Sequence, residues 1–235
     1  MVTVADCERV QTDWFRLQAT QADGETWTDG PLQWVAHGGS QYLMFPTALP
    51  GPSLRRGVER ARASGRSSVG VWLNLDVDPE PLAQNGFDQG WSPWWMTAPL
   101  PLAGPPDPRV ELQTDTDDYG GEHAAYAEQL ALTRGAPPRA WYAAAYQPGE
   151  PRRFAGRAWS FLDGDLAGVF DMAVWEAFRR RGFGTGLLRA VCTAAHRAGA
   201  EQAVLNATAM GERLYATCGF TQIGAGITWW RRLEE

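Results

Sequence analysis

Hydrophobic and polar residues in the C-terminal half follow patterns that predict both strands and helices. Two apolar-rich runs, Phe154–Leu162 and Leu166–Val174, flank Asp163-Gly164-Asp165, and the Asp-Gly pair favours a tight hairpin turn. Apolar residues recur at helical spacing through Thr185–Ala198, and Gly199 suits the end of a helix. The sequence therefore predicts a hairpin followed by an amphipathic helix.

The same signals predict the other elements of this half. They are a strand Val110–Thr114, a helix from Asp117 or Asp118 to Leu132, a short helix around Arg139–Tyr146, a strand Gln202–Asn206, a helix Ala209–Thr217 and a strand Gln222–Arg231. This order predicts the α/β (α+β) class, with a mixed sheet and helices on both sides of it.

The chain also carries a break and an internal repeat. Five prolines between Ala98 and Arg109 prevent helix and central strand, which predicts a linker at 99–108. Two stretches then follow the same order at offsets of 133 to 135 residues. The matched pairs are Leu54–Gly65 with Leu187–Gly199, Val69–Leu73 with Ala203–Asn206, Gly86-Phe87 with Gly219-Phe220, and Trp94-Trp95 with Trp229-Trp230. Chance matches of common dipeptides are the alternative, but the constant offset favours duplication into domains 1–98 and 109–235.

Composition removes several functional classes. All 21 basic residues are arginine, so a Walker-type phosphate loop and a Schiff-base lysine are excluded. The net charge of −6 disfavours nucleic acid as a partner. Three scattered cysteines do not suit a disulfide framework or a zinc site, so we expect no metal and a cytoplasmic location. The N-terminus has no signal-peptide pattern and no apolar run is long enough to span a bilayer, so we expect no membrane partner.

The segment Phe178–Leu188 suits the binding of a pyrophosphate. It contains three alternating glycines at the start of a predicted helix, directly after the arginines 179–181. Glycines allow close backbone approach, and a helix N-terminus attracts anions. Such a loop alone is a weak signal that also suits a plain turn, and it lacks the position and the following acid of a dinucleotide-binding fingerprint.

These residues resemble the GNAT N-acetyltransferase superfamily, whose acyl-CoA loop reads Arg/Gln-x-x-Gly-x-Gly/Ala before paired aliphatic residues. Arg179–Leu188 matches this pattern, and Leu214-Tyr215 followed by Gly219-Phe220 is similar to the second family signature. Thr208 stands where many members have Asn, and Gly211 where Ala is more usual, which weakens one expected contact with CoA. The resemblance covers residues 109–235 and implies two GNAT-like units in this chain.

The resemblance implies direct transfer of an acetyl group from acetyl-CoA, as co-substrate, to an amine. Tyr215 would protonate the leaving thiolate, Asp171 is a candidate base and Asn206 could position a water. Backbone N–H groups near Val174 would hold the developing oxyanion. The residues expected to contact acetyl-CoA are Met172, Ala173, Val174, Arg179, Arg180, Arg181, Gly182, Phe183, Gly184, Thr185, Gly186, Thr208 and Tyr215.

For each side chain with a reactive group, a purely structural role is the alternative to a chemical one. Tyr215 also suits core packing, Asp171 a turn, and the arginines 179–181 a solvated surface. His123, with Glu122 and Tyr126, is a second possible acceptor contact or an exposed helix face. His196 is expected to have no chemical role, His37 to lie in a loop, Cys192 and Cys218 to be inert, and the tryptophan pairs to pack in the core.

The N-terminal half lacks both signatures. Pro46–Ser53 has three prolines, one glycine and no arginine where the loop would stand, and Leu82–Asn85 has no tyrosine before Gly86-Phe87. We expect this half not to bind CoA and to pack beside or wall in the acceptor site. The primary hypothesis is an N-acetyltransferase of a small-molecule amine, as a monomer or homodimer. The alternatives are a non-catalytic acyl-CoA-binding or regulatory protein on the same fold, and a tandem acetyltransferase of thiol-cofactor biosynthesis.

Overall fold

The structure is a computed structural model that describes residues 1–113, 129–149 and 151–233. Most of the helix predicted from Asp117 or Asp118 lies outside these residues, and so do Glu122, His123 and Tyr126. The described helices are α1 Val4–Gln21, α2 Gly51–Ala63, α3 Glu80–Gln84, α4 Phe183–Arg197 and α5 Glu212–Thr217. The described strands are β1 Glu25–Asp29, β2 Leu32–His37, β3 Ser40–Met44, β4 Ser68–Asn74, β5 Asp88–Gln89, β6 Trp94–Pro99, β7 Val110–Gln113, β8 Ala140–Gln147, β9 Arg153–Asp163, β10 Leu166–Val174, β11 Gln202–Ala207 and β12 Thr221–Arg232. Mixed α/β architecture is confirmed.

The chain divides into two compact units. The C-terminal unit contains residues 1–10 and 95–223, and the N-terminal unit contains residues 11–94 and 224–235. The division assigns β6 almost wholly to the C-terminal unit and most of β12 to the N-terminal unit. The domain boundaries 1–98 and 109–235 concern a sequence duplication and stay a prediction.

The sheet of the C-terminal unit has the order β6-β11-β10-β9-β8-β7. Strands β9 and β10 form the predicted hairpin, in which Asp163 pairs with Leu166 and Gly164 takes φ +62°. Strands β10 and β11 run parallel, as expected when a helix connects them. That helix is α4, which packs on β7, β8, β9 and β10 through an apolar face. The carboxyl ends of β10 and β11 therefore lie beside each other.

Residues 140–147 form a strand, so the short helix predicted around Arg139–Tyr146 is wrong. The run Ala143–Ala145 favours a helix by local propensity. However, β8 lies between β7 and β9, and these three alanines have no exposed surface. Small side chains allow α4 to approach the sheet, so tertiary packing overrides propensity here.

The strands of the N-terminal unit have the order β1-β2-β3-β4-β12, with β5 paired to β12. Helix α2 covers one face of these strands, where Trp34 packs so closely that a Cβ on Gly57 would overlap its ring. The elements α2, β4, α3 and β6 follow one another in the same order as α4, β11, α5 and β12. This order matches the sequence repeat.

Candidate active site

The parallel strands β10 and β11 separate near their carboxyl ends. Their pairing runs from Leu166 with Gln202 to Val169 with Leu205, although β10 continues to Val174 and β11 to Ala207. The register of β10 against β9 shifts between Phe170 and Ala173, which marks a β-bulge. Because a bulge bends its strand and increases the local twist, it directs the end of β10 away from β11. The main chain of Met172, Ala173 and Val174 borders the resulting opening.

Asp171 lies in the bulge with φ +46°, a left-handed conformation that a non-glycine residue rarely adopts. Such conformations cost free energy and occur often at functional sites. Both carboxylate oxygens of Asp171 lie near Nη2 of Arg157, at 3.1 and 2.9 Å. Arg157 is nine-tenths buried, whereas the Asp171 side chain is half exposed. The buried guanidinium thus fixes a carboxylate that remains accessible.

Gly156 allows β9 and the end of β10 to lie together under α4. It pairs with Val174, and a Cβ at this position would lie 3.0 Å from the Val174 Cα and 3.2 Å from Leu187 of α4. Only glycine fits without displacing main chain. The sequence reading missed this residue because a single glycine within a strand has no distinctive signal.

Two left-handed residues place the start of α4 at the end of β10. Arg180 has φ +62° and Gly182, which precedes the helix, has φ +85°. The Arg179 Nε–H donates to the carbonyl of Val174 over 3.1 Å, which ties the loop to the strand. The N–H groups of the first helical turn, at Phe183, Gly184 and Thr185, have no acceptor within the helix. The loop therefore presents backbone donors and a helix N-terminus beside the opening, which suits a phosphate.

The glycines of this loop also serve close packing. A Cβ on Gly184 would lie 2.8 Å from Leu214 of α5, and one on Gly186 would lie 2.8 Å from the carboxylate of Asp107. The Phe183 side chain is buried in the core, so this residue can meet a ligand only through its main chain. Arg179, Arg180 and Arg181 are exposed, and Arg181 donates to Gln147 Oε1 over 3.3 Å.

Tyr215 lies on α5, which begins near the carboxyl end of β11. Its side chain is 7% exposed, and burial, then the nearby thiols of Cys192 and Cys218, raise its pKa to about 12. The phenol therefore keeps its proton at neutral pH. No described residue hydrogen-bonds the Tyr215 hydroxyl, so its donor is available to a ligand.

The other candidates occupy varied positions. Asn206 follows the last paired residue of β11, at the same opening as Asp171. Thr208 lies in the turn before α5, where its Oγ1 accepts the Gly211 N–H over 3.2 Å, and the helix begins at Glu212 rather than Ala209. His196 lies on α4, with its Nδ1 2.7 Å from the Ala200 carbonyl.

The remaining candidates belong to cores. Burial raises the pKa of the Cys192 thiol, so this group stays protonated. Cys218 is half buried. Trp95 and Trp229 are buried, as expected of core residues, while Trp94 and Trp230 are half buried. His37 does not lie in a loop as expected: it ends β2 and stacks on Tyr42 with ring centroids 5.2 Å apart.

The sequence pattern also gave no signal for the contact between Arg109 and the first turn of α4. Arg109 stacks over Phe183, with its guanidinium carbon 4.3 Å from the ring centroid, and forms an ion pair of 2.7 Å with Asp107. Proline residues surround this pair, and the composition of the segment indicated a linker rather than a binding element. Within residues 1–113, 129–149 and 151–233, no cluster of His, Cys, Asp and Glu has the arrangement of a metal site.

Residues 139–222, a little over a third of the chain, match the family model described as an acetyltransferase (GNAT) domain. The matched residues include the bulge, the glycine loop and Tyr215. The fold is the GNAT fold. No curated protein matches the chain in sequence.

Solved structures with the GNAT fold extend the similarity to nearly the whole chain. A GCN5-related N-acetyltransferase from Kribbella flavida has a TM-score of 0.62 at 14% identity, over 97% of this chain and 95% of that one. A GCN5-related N-acetyltransferase-like protein from Streptococcus suis has a TM-score of 0.59 at 12% identity, over 97% and 99%. A tandem GNAT protein from the clavulanic acid biosynthesis pathway has a TM-score of 0.55 at 14% identity, over 100% and 98%.

No helix within the described ranges is both long enough and apolar enough to cross a bilayer.

Proposed function

We propose that this chain is an N-acetyltransferase that transfers the acetyl group of acetyl-CoA directly to the amine of a small molecule. The separation of β10 from β11 beyond Val169 and Leu205 carries the proposal. Parallel pairing that stops before the strands end leaves main-chain groups at an opening into which a thioester and an amine can enter from opposite sides. A GNAT fold supports acyl transfer in general, and the local residues indicate how it would proceed.

The start of α4 suits the pyrophosphate of CoA. The N–H groups of Phe183, Gly184 and Thr185 point along the helix axis toward the loop, where the helix dipole favours negative charge. The exposed arginines 179–181 supply countercharge. Gly182 holds the left-handed turn at which the chain enters the helix. This cradle requires no lysine.

Transfer needs one bond made, one bond broken and two protons moved. The amine nitrogen forms a bond to the thioester carbonyl carbon, and the main-chain N–H groups near Val174 stabilise the negative charge that develops on the oxygen. The carbon–sulfur bond then breaks, and the sulfur takes the proton of Tyr215. The amine releases a proton to Asp171, directly or through a water held by Asn206. Asp171 then releases its proton to solvent, and solvent returns a proton to Tyr215, so both groups are restored.

Asp171 can accept this proton despite its ion pair. A single nitrogen of Arg157 lies between the two carboxylate oxygens, so outer lone pairs of a half-exposed carboxylate remain open to an amine. The bulge fixes where this carboxylate lies along the strand. Arg157 therefore positions Asp171 rather than taking part in proton transfer.

The test is turnover of acetyl-CoA with a panel of small amines, followed by release of the CoA thiol and by the mass of the acetylated product. We expect Tyr215→Phe to lower kcat by at least tenfold, because general acids contribute roughly 10²- to 10⁴-fold. Tyr42→Phe is the matched control, since it removes a buried hydroxyl from the N-terminal unit. A decrease below twofold for Tyr215→Phe would contradict the acid role. Tight acetyl-CoA binding without turnover would favour the non-catalytic alternative.

A further inference from the structure

The segment before β7 packs along the first turns of α4. The Arg109 guanidinium covers Phe183, and the Asp107 carboxylate lies 2.8 Å from where a Cβ on Gly186 would be. One turn further, a Cβ on Gly104 would lie 2.7 Å from Nη1 of Arg189. Contacts thus recur every three residues along α4. The proline-rich segment therefore packs against the helix in this region and is not a solvated linker.

Two contacts hold the Arg109 side chain, and two further hydrogen bonds hold its main chain. Its Nε and Nη2 donate to the two oxygens of Asp107 over 2.9 and 2.7 Å, and its ring partner Phe183 is buried. The backbone N–H of Arg109 donates to Asp107 over 3.0 Å, and its carbonyl accepts the Tyr146 N–H over 2.8 Å. These bonds lower the pKa of Asp107 and raise that of Arg109, so both groups stay charged. A guanidinium fixed in this way loses little further entropy when it binds a ligand.

Arg109 lies beside the glycine loop. Its Nη2 lies 3.4 Å from where a Cβ on Gly182 would be, at the residue that precedes α4. Asp107 occupies two of the five N–H donors of the guanidinium, so three remain. The side chain is 30% exposed, so it is not sealed within the core.

We infer that Arg109 is a phosphate-binding residue of the CoA site and that Asp107 positions it. This inference rests on the proposed function. Arg109 adds oriented donors beside Gly182, in addition to the arginines that lead into the loop in sequence. Its ion pair with Asp107 leaves the pair neutral, so its contribution is directional hydrogen bonding rather than net charge.

A purely structural role predicts a different result, and Arg139 provides the matched control. Arg139 also stacks on a buried phenylalanine, Phe161, at 5.0 Å, and also pairs with an aspartate, Asp163, at 3.6 Å. It lies near the turn that joins β9 to β10, at the end of β10 remote from the glycine loop. Arg139→Gln therefore removes contacts of the same two kinds, although longer ones, without touching the proposed site.

The experiment measures binding of coenzyme A and of pantetheine, which lacks the pyrophosphate, by calorimetry on the full chain. We expect Arg109→Gln to weaken CoA affinity by about 10- to 100-fold, the range for hydrogen bonds to charged groups. Pantetheine affinity should not change. Arg139→Gln should leave both affinities within twofold of the original chain. Asp107→Asn should weaken CoA affinity by a smaller factor, because the amide offers the guanidinium one acceptor instead of two and holds it less firmly.

The affinities of the folded variants decide whether Arg109 binds phosphate. Equal CoA affinity in the original chain and in folded Arg109→Gln overturns the inference, and so does an equal loss for CoA and pantetheine. If Arg109→Gln does not fold, Arg109→Lys keeps a cation but not the planar fork, and an unchanged CoA affinity in that variant also overturns it. Failure of the original chain to bind CoA at all would instead refute the proposed function.

Discussion

Burial determines how single side chains of this protein titrate. His37 is half buried at the end of β2, and its Nε2 is buried with no hydrogen-bond partner among the residues that the structure describes. Burial and the nearby positive charge of Arg66 lower the His37 pKa to about 4. Tyr215 shows the opposite direction, because burial also favours the neutral form of a phenol, and that form is the protonated one.

The His37 shift predicts a loss of stability in acid. The unfolded chain binds a proton on this ring near pH 6.5, whereas the folded chain resists protonation down to about pH 4. The contribution of neutral His37 to the free energy of unfolding is therefore fully present above pH 6.5. It is lost as the pH falls to 4, and the total loss is about 3 kcal/mol.

Urea titrations at pH 7 and at pH 4.5 measure this effect. His37→Gln keeps a neutral polar group and should reduce the difference in unfolding free energy between the two pH values. Carboxylates such as Asp29 also lose their ion pairs in acid, but they do so equally in both chains. An identical pH dependence in the original chain and in His37→Gln would contradict the prediction.

At the scale of elements, the site depends on how β9, β10 and α4 fit together. The bulge at Asp171 separates β10 from β11, while Gly156 allows β9 to follow the end of β10 beneath Leu187. The helix then begins at the same end of the sheet. No one of these features forms the site alone, because each fixes the position of the next.

Gly156→Ala should therefore affect both stability and acetyl-CoA binding. The new methyl group would overlap main chain of β10 and displace it, which costs about 1–3 kcal/mol of unfolding free energy. The KM for acetyl-CoA should rise, because the displaced residues border the opening. Thermal unfolding and initial rates measure the two effects. Gly135→Ala is the control, since its methyl group would have an ordinary contact of 3.4 Å, and an equally stable and active Gly156→Ala would contradict the account.

At the scale of the whole molecule, the two units differ in how far a pair of parallel strands stays paired. The strands concerned are β3 and β4 in the N-terminal unit and β10 and β11 in the C-terminal unit. Pairing of β3 with β4 extends to Met44 and Trp72, and the Phe45 N–H donates to the Trp72 carbonyl over 2.9 Å. Phe45 has φ +41°, similar to Asp171, yet its strand does not separate from its neighbour. The rings of Phe45 and Trp91 then pack near Trp72, at 6.3 and 5.8 Å. The N-terminal unit has no equivalent opening at this place.

This contrast predicts that one acetyl-CoA binds per chain. Helix α2 begins between Pro50 and Pro52, neither of which has an N–H group to offer a phosphate, and its Arg56 is engaged with Asp29 at 2.8 Å. Calorimetric titration should give a stoichiometry of one, and folded Arg109→Gln should lower the affinity without changing that number. A stoichiometry of two would contradict the prediction that the N-terminal half does not bind CoA.

The class of fold, the hairpin around Gly164 and the position of the glycine loop before α4 could all be predicted from the amino-acid sequence. These features depend on residues close together in the chain, such as the Asp-Gly turn and the glycines that open α4, so local chemistry is sufficient to predict them. Long-range packing was needed to show that Ala140–Gln147 is a strand, that Arg157 holds Asp171, and that Arg109 lies beside Gly182. Each of these depends on residues far apart in sequence, and packing energy there outweighs local propensity. The proline-rich segment 99–108 has both a local and a long-range determinant. Its composition excluded a helix, whereas its packing along α4 depends on glycines that lie about 80 residues later in the chain.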